Sequence, residues 1–170
     1  FFTLLENALS GRGFFYSNKG TFGVEKRRRP FIMEGAWPQM DIKATAKKLI
    51  EGSIILSDDG LRLYTPDGMG NYPCLWTRDF AYMVEYAGDL FERKNDILQC
   101  IEYIVKRPAS NGWIPDRVDQ HGKAYYTAGD DSFPAAPNLD NGPFLAIAAE
   151  TYLDMLPLEE AKKRFRRWKD

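Results

Sequence analysis

Three short stretches of the 170-residue chain collect side chains suited to gripping a polyhydroxy ligand. The first runs Asn71-Tyr72-Pro73-Cys74-Leu75-Trp76-Thr77-Arg78-Asp79-Phe80-Ala81. Arg78 supplies a planar fork of donors and Asp79 two acceptor oxygens, the combination needed to hold vicinal hydroxyls of one sugar. Trp76 adds an aromatic plane beside them. A plainer reading is electrostatic: Asp79 sits where a helix N-terminus favours negative charge, and pairs with Arg78. The second stretch, Asn138-Leu139-Asp140-Asn141-Gly142-Pro143-Phe144, puts Asp140 and Asn141 at another loop-to-helix junction. Either residue there could equally be a simple helix cap. Between the two lies Asn111-Gly112-Trp113-Ile114-Pro115-Asp116-Arg117. Trp113 is a candidate stacking platform, Asp116 and Arg117 add polar reach, and the alternative is a structural loop anchor. Asp130-Asp131 fits a sugar contact, a calcium ligand or a solvated turn.

The elements that must position these residues are mostly helical. Asp41 can cap a helix over 42–52, where Ile42, Ala46, Leu49 and Ile50 recur at helical spacing and Gly52 fits its stop. Ser53-Ile54-Ile55-Leu56 and Leu61-Arg62-Leu63-Tyr64, joined by Asp58-Asp59-Gly60, read as a β-hairpin. The strongest helix spans 77–91, with Trp76, Phe80, Met83, Val84, Ala87 and Phe91 on one stripe and Thr77 as its expected N-cap. A second, over about 95–107, carries Ile97, Leu98, Ile101, Ile104 and Val105 and stops at Pro108. The short connection predicts that these two form an antiparallel helical hairpin.

Residues 108–141 read as a long loop with turns at Asn111-Gly112 and His121-Gly122 and a short strand at 124–127; long ordered loops often carry function. A third core helix over about 143–156 opens with Pro143 and bears Phe144, Leu145, Ala148, Tyr152 and Met155. After Pro157 a basic amphipathic helix turns Phe165 and Trp168 inward and leaves Lys162, Lys163, Arg164, Arg166, Arg167 and Lys169 as a solvated face. Helix pair, loop, helix pair repeats at about 62 residues, from Asp79 to Asn141. That pattern suggests a helical toroid or solenoid, in which both junctions open on one face. The expected fold is mainly α: residues 1–40 form an irregular, β-rich lead-in, and 41–170 hold the helical hairpins, with short β-hairpins in the N-terminal region and loops.

Composition narrows the function classes. Hydrophobic residues make up 44% and charged residues 28%, as in a globular protein. The net charge of -1 gives no global pull toward nucleic acid or membrane, and no run of about 18 apolar residues marks a span. Aromatics reach 14%, which suits sugar stacking and a large core alike. Cys74 and Cys100 make no disulfide framework, and His121, the one histidine, builds no multi-histidine metal site. The run Lys26-Arg27-Arg28-Arg29 before Pro30 reads as a solvated turn. Starting with Phe1 rather than Met, and ending inside a helix-like segment, the chain reads as a fragment, so its compartment is open.

With these residues in hand, Leu75-Trp76-Thr77-Arg78-Asp79-Phe80-Ala81 resembles the W-x-R-D motif of six-hairpin glycosidases such as glucoamylases, exo-α-1,6-mannosidases and neutral invertases. Asp140-Asn141-Gly142-Pro143-Phe144-Leu145-Ala146 is similar to a second helix-start motif of that superfamily, and the resemblance covers about residues 70–156. It implies part of an (α/α)6 barrel, about two of six hairpins. It also implies an inverting, exo-acting hydrolase of oligo- or polysaccharides with paired carboxyls, no metal and no other cofactor. Arg78 and Asp79 would bind hydroxyls of the terminal sugar. Asp140 would be the general acid in the mannosidase and invertase branch, and a substrate-binding residue in the glucoamylase branch. Trp76, Trp113, Asp116, Arg117 and Asn141 complete the expected substrate contacts. The base would come from a later hairpin, leaving this chain inactive alone. A general acid must hold its proton near neutral pH, whereas a helix N-terminus favours the ionised form. Asp140 therefore needs burial or a neighbouring carboxylate to serve. The rivals are an epimerase or phosphorylase on the same toroid, a non-catalytic glycan-binding or structural repeat, and nucleic-acid binding through the basic last helix.

Overall fold

The computed structural model describes residues 41–127 and 138–169. The readings made for 1–40, the Lys26–Arg29 run and Asp130-Asp131 lie outside them. Five helices and five short strands follow one another: α1 (Ile42–Gly52), β1 (Ile54–Leu56), β2 (Arg62–Tyr64), β3 (Cys74–Trp76), α2 (Thr77–Ala87), a 3-10 turn (Gly88–Leu90), α3 (Lys94–Val105), β4 (Arg117–Asp119), β5 (Ala124–Tyr125), α4 (Asn141–Asp154) and α5 (Leu158–Lys169). The architecture is mainly α with small antiparallel sheets. Asp41 caps α1 as its residue type predicts, accepting from the Ala44 amide at 3.0 Å. β1 and β2 pair in the expected hairpin, Ile54 opposite Tyr64 and Leu56 opposite Arg62.

Several boundaries differ from the sequence reading. Thr77 is not the cap of α2; Trp76 holds that position in extended conformation, and Thr77 is the first helical residue. Its hydroxyl instead donates to Pro115 O at 2.7 Å. The stretch 77–91 is an α-helix only to Ala87, after which the chain tightens to a 3-10 turn. Residues 117–119, read as part of a long loop, and 74–76, given no strand, are strands that join β5 in the order β3-β4-β5. At three residues each, they are too short to show an alternating pattern.

Helix pairing also differs. The extensive contact of α2 is with α4, while α3 packs on α4 and β2 rather than forming a tight hairpin with α2. The two partners run parallel. Their starts meet at Arg78 and Asp140, Tyr82 in the second turn of α2 meets Phe144 in the first turn of α4, and their ends meet where Gly88 faces the Met155 side chain. α4 buries Leu145, Ala146, Ala148, Ala149, Tyr152 and Leu153 on one broad face that receives α2, α3 and α5, and leaves Pro143, Glu150 and Asp154 exposed on the other. Small Ala side chains let neighbouring backbones approach on two sides. The common core holds Leu63, Tyr64, Leu75, Phe80, Val84, Ile97, Ile101, Ile104, Val118, Leu145 and Leu153, all essentially inaccessible. Each such large side chain contributes roughly 1.5–3 kcal/mol by burial.

Candidate functional site

The starts of α2 and α4 are held together by one short segment, Ile114-Pro115-Asp116. Asn141 Nδ2 donates to Ile114 O at 3.4 Å. The Thr77 hydroxyl donates to Pro115 O, and the Thr77 amide donates to Asp116 O at 2.9 Å. Asn138 Nδ2 donates to Asp116 Oδ1 at 2.6 Å. Three consecutive residues thus accept from both helix starts and act as a bracket between them. The segment runs directly into β4, which pairs with β3 just before α2 and so brings these carbonyls to the helix start. The geometry also follows from the orphan amides and polar side chains that open every helix.

On this bracket Arg78 and Asp140 come face to face, Nη1 to Oδ2 at 3.5 Å, with side chains 44% and 45% exposed. The Asp140 carboxylate makes no cap bond to its own helix, and neither does Asn141, whose amide goes to the bracket. Simple capping therefore does not explain either residue. Arg78 also lies over the Phe144 ring, 5.9 Å from its centre. Asp79, in the first turn of α2, is exposed as a residue. Partial desolvation nevertheless holds its carboxyl above the usual Asp range, and the Asp116 charge pushes the same way against its own backbone amide and Arg78.

Asp116 and Arg117 lie beneath this surface rather than on it, 2% and 8% exposed. Arg117 is opposite Trp76 on one side and Tyr125 on the other. Cross-strand neighbours share a sheet face, and the guanidinium lies 4.8 Å from the Trp76 ring centre and 4.5 Å from that of Tyr125. Its Nη1 reaches Asp116 Oδ2 at 3.3 Å and donates to Thr127 O at 3.0 Å. Trp76 is half-buried, with Tyr72 edge-on at 5.8 Å. Trp113 stands apart: it is 42% exposed on the turn closed by Ala109 N to Trp113 O, and its ring meets no other aromatic ring among the described residues.

Sequence reasoning missed Thr77, Tyr125 and Asn138 as parts of this arrangement. Asn138 carries no signal beyond its place before the second helix start, and Tyr125 is visible only once the strand register is known. It also missed Asp96, a wholly buried carboxylate that accepts from Tyr64 Oη at 3.0 Å and pairs with Arg62 and Arg93 at 3.4 and 3.3 Å. Among the described residues no group of three or more His, Cys, Asp or Glu is placed to hold a metal ion, and no helix is long and apolar enough to cross a membrane.

A surface that joins an exposed Arg–Asp pair, a nearby Asp and half-buried aromatic faces can accept and donate to hydroxyls while packing against apolar C–H faces. No family model, curated protein or solved structure significantly matches the chain.

Proposed function

We propose that this chain forms part of the sugar pocket of an inverting, exo-acting glycoside hydrolase, its helices belonging to an (α/α)6 toroid. The observation that carries the reading is the meeting of Arg78 and Asp140 at the starts of two parallel helices. Successive toroid hairpins bring their inner helix starts to one rim in this way. Tyr82 and Tyr86, 45% and 76% exposed and stacked at 6.1 Å, continue the Arg78 face down α2, a face that further toroid helices would cover. Arg78 and Asp79 grip hydroxyls of the terminal sugar. Asp140 is the candidate acid; for that role it must first take up a proton from solvent, which requires a sugar hydroxyl to draw Arg78 away and another hairpin to cover the carboxyl. The carboxylate that activates water comes from another hairpin.

The Arg78 partnership also favours a second reading, glycan binding without catalysis, because an Arg-paired, half-exposed carboxylate is an acceptor first. Titration of neutral oligosaccharides, followed by indole fluorescence, tests both. A saturable response at roughly millimolar concentration, about -4 kcal/mol, weakened strongly by Arg78→Ala, is expected. If no neutral saccharide gives a saturable response, the reading fails. In a protein containing all six hairpins, loss of aryl-glycoside turnover in Asp140→Asn with binding kept supports hydrolysis; unchanged turnover leaves Asp140 a binding residue.

A further inference from the structure

The outer face of the parallel α2–α4 pair combines exposed aromatic surface with unpaired negative charge. Tyr82 and Tyr86 stack along α2 with ring centres 6.1 Å apart, and Tyr82 meets Phe144 of α4 edge-on at 5.0 Å. Adjoining exposed rings of this kind mark a contact surface more often than scattered ones do. Glu85 follows Tyr82 by three residues, one turn along the same side of α2. Glu150 and Asp154 lie beyond Phe144 on α4, and all three carboxylates are exposed. Because the helices run parallel, these acids gather at one end of the pair, the C-terminal end, where the helix dipoles add negative potential. Partial desolvation, with the Asp154 charge, raises the Glu150 carboxyl above its usual range. Among the described residues none of the three carboxylates meets a cation at ion-pair distance.

α5 offers the opposite surface. Its inner side rests on α3 and α4, through Arg164 with Glu102 and Trp168 with Tyr152. Lys163 and Arg166, three residues apart, stand exposed on its outer side. Among the described residues no ion pair joins this side to the α2–α4 acids within one chain. The two faces match in charge, and a second copy can bring them together. We propose that the chain associates head to tail with a second copy of itself, the Lys163–Arg166 side of α5 in one copy seating on the Tyr82–Tyr86 and Glu85–Glu150–Asp154 face of the next. Long basic side chains suit such a face, since their stems and charged ends lie over the rings while the charges reach the carboxylates. The contact is heterologous, so further copies can add until a ring closes. It does not rest on the sugar-pocket reading: Arg78 and Asp140 lie at the other end of the helix pair.

Sedimentation equilibrium of the chain tests this. The mean mass should rise from one chain toward two or more over roughly 10 μM to 1 mM. It should fall back in about 1 M salt, where the screening length is about 3 Å. Reversing the acidic face, Glu85→Lys with Glu150→Lys, should weaken association at least about tenfold, because like charges then oppose. Reversing the basic face, Lys163→Glu with Arg166→Glu, should do the same. An equimolar mixture of the two variants should associate again, since each keeps one unaltered face. All four residues are exposed, and unchanged far-ultraviolet dichroism checks that the variants fold. A chain that stays single at every concentration overturns the proposal. So does association that survives the reversal on α5, which would mark a symmetric contact through the tyrosines, and so does a mixture that stays monomeric.

Discussion

Arg78 and Asp140 form an ion pair in which both partners keep nearly half of their side-chain surface in water. Exposed pairs of this kind couple by about 0.2–1 kcal/mol. A double-mutant cycle of Arg78→Ala and Asp140→Ala, read by urea denaturation, should therefore give a coupling in that range. A coupling several times larger would mark a structural clamp and leave no pair free to exchange for hydroxyls. Asp116 is the opposite case. It is buried beside Arg117 and accepts from Asn138. Removing one partner of a buried pair strands the other charge, at a cost of about 3–5 kcal/mol. Asp116→Ala should lose stability on that scale, and a loss under about 1 kcal/mol would mean that Arg117 finds water instead. The residue types of both sets stood out in the sequence. Which were exposed did not, because burial depends on the strand register that sets Arg117 between Trp76 and Tyr125.

At the scale of elements, two turns distant in sequence are tied by His121. Its Nδ1 lies 2.9 Å from an Asp58 carboxylate oxygen, and Asp58 N donates to Gln120 O at 3.0 Å. The β1–β2 turn thereby meets the β4–β5 turn. The Asp58 hydrogen bond and charge, with Asp119 adding, raise the imidazole above its usual value. The folded chain thus favours protonated His121. The link is complete below the free imidazole value of about 6.5 and is lost as pH rises through the higher folded value. An NMR titration should show a His121 midpoint above the free value that falls back in Asp58→Asn; an unchanged midpoint would show that the pair does not form in solution. Such reach across the fold explains what the sequence could reveal. The extent of α1 and the β1–β2 hairpin were legible from local periodicity and caps. β3 and β4 were not, since their pairing is non-local and brief, and Thr77 was misread because its hydroxyl serves Pro115 rather than its own helix.

For the molecule as a whole, α4 is the piece on which the helices converge. It meets α2 along its length and also receives α3 and α5. Its apolar stripe suggested one buried face, and the partner choice of α2 was hidden because small residues, not a long hydrophobic pattern, allow the close approach. Ala148 and Ala149 are both fully buried. Adding three carbons at Ala148 must separate packed helices or force strained rotamers, at about 1–3 kcal/mol. Because α4 touches the other helices of the core, the loss should be shared by the whole fold. Ala148→Leu should lower the denaturation midpoint in a single transition seen alike by tryptophan fluorescence and far-ultraviolet dichroism. It should also alter saccharide binding, since Asp140 opens the same helix that Ala148 seats against its neighbours. If the two probes separated, α2 and α4 would be parts of independent units. The joint presentation of Arg78 and Asp140 would then lose its structural basis.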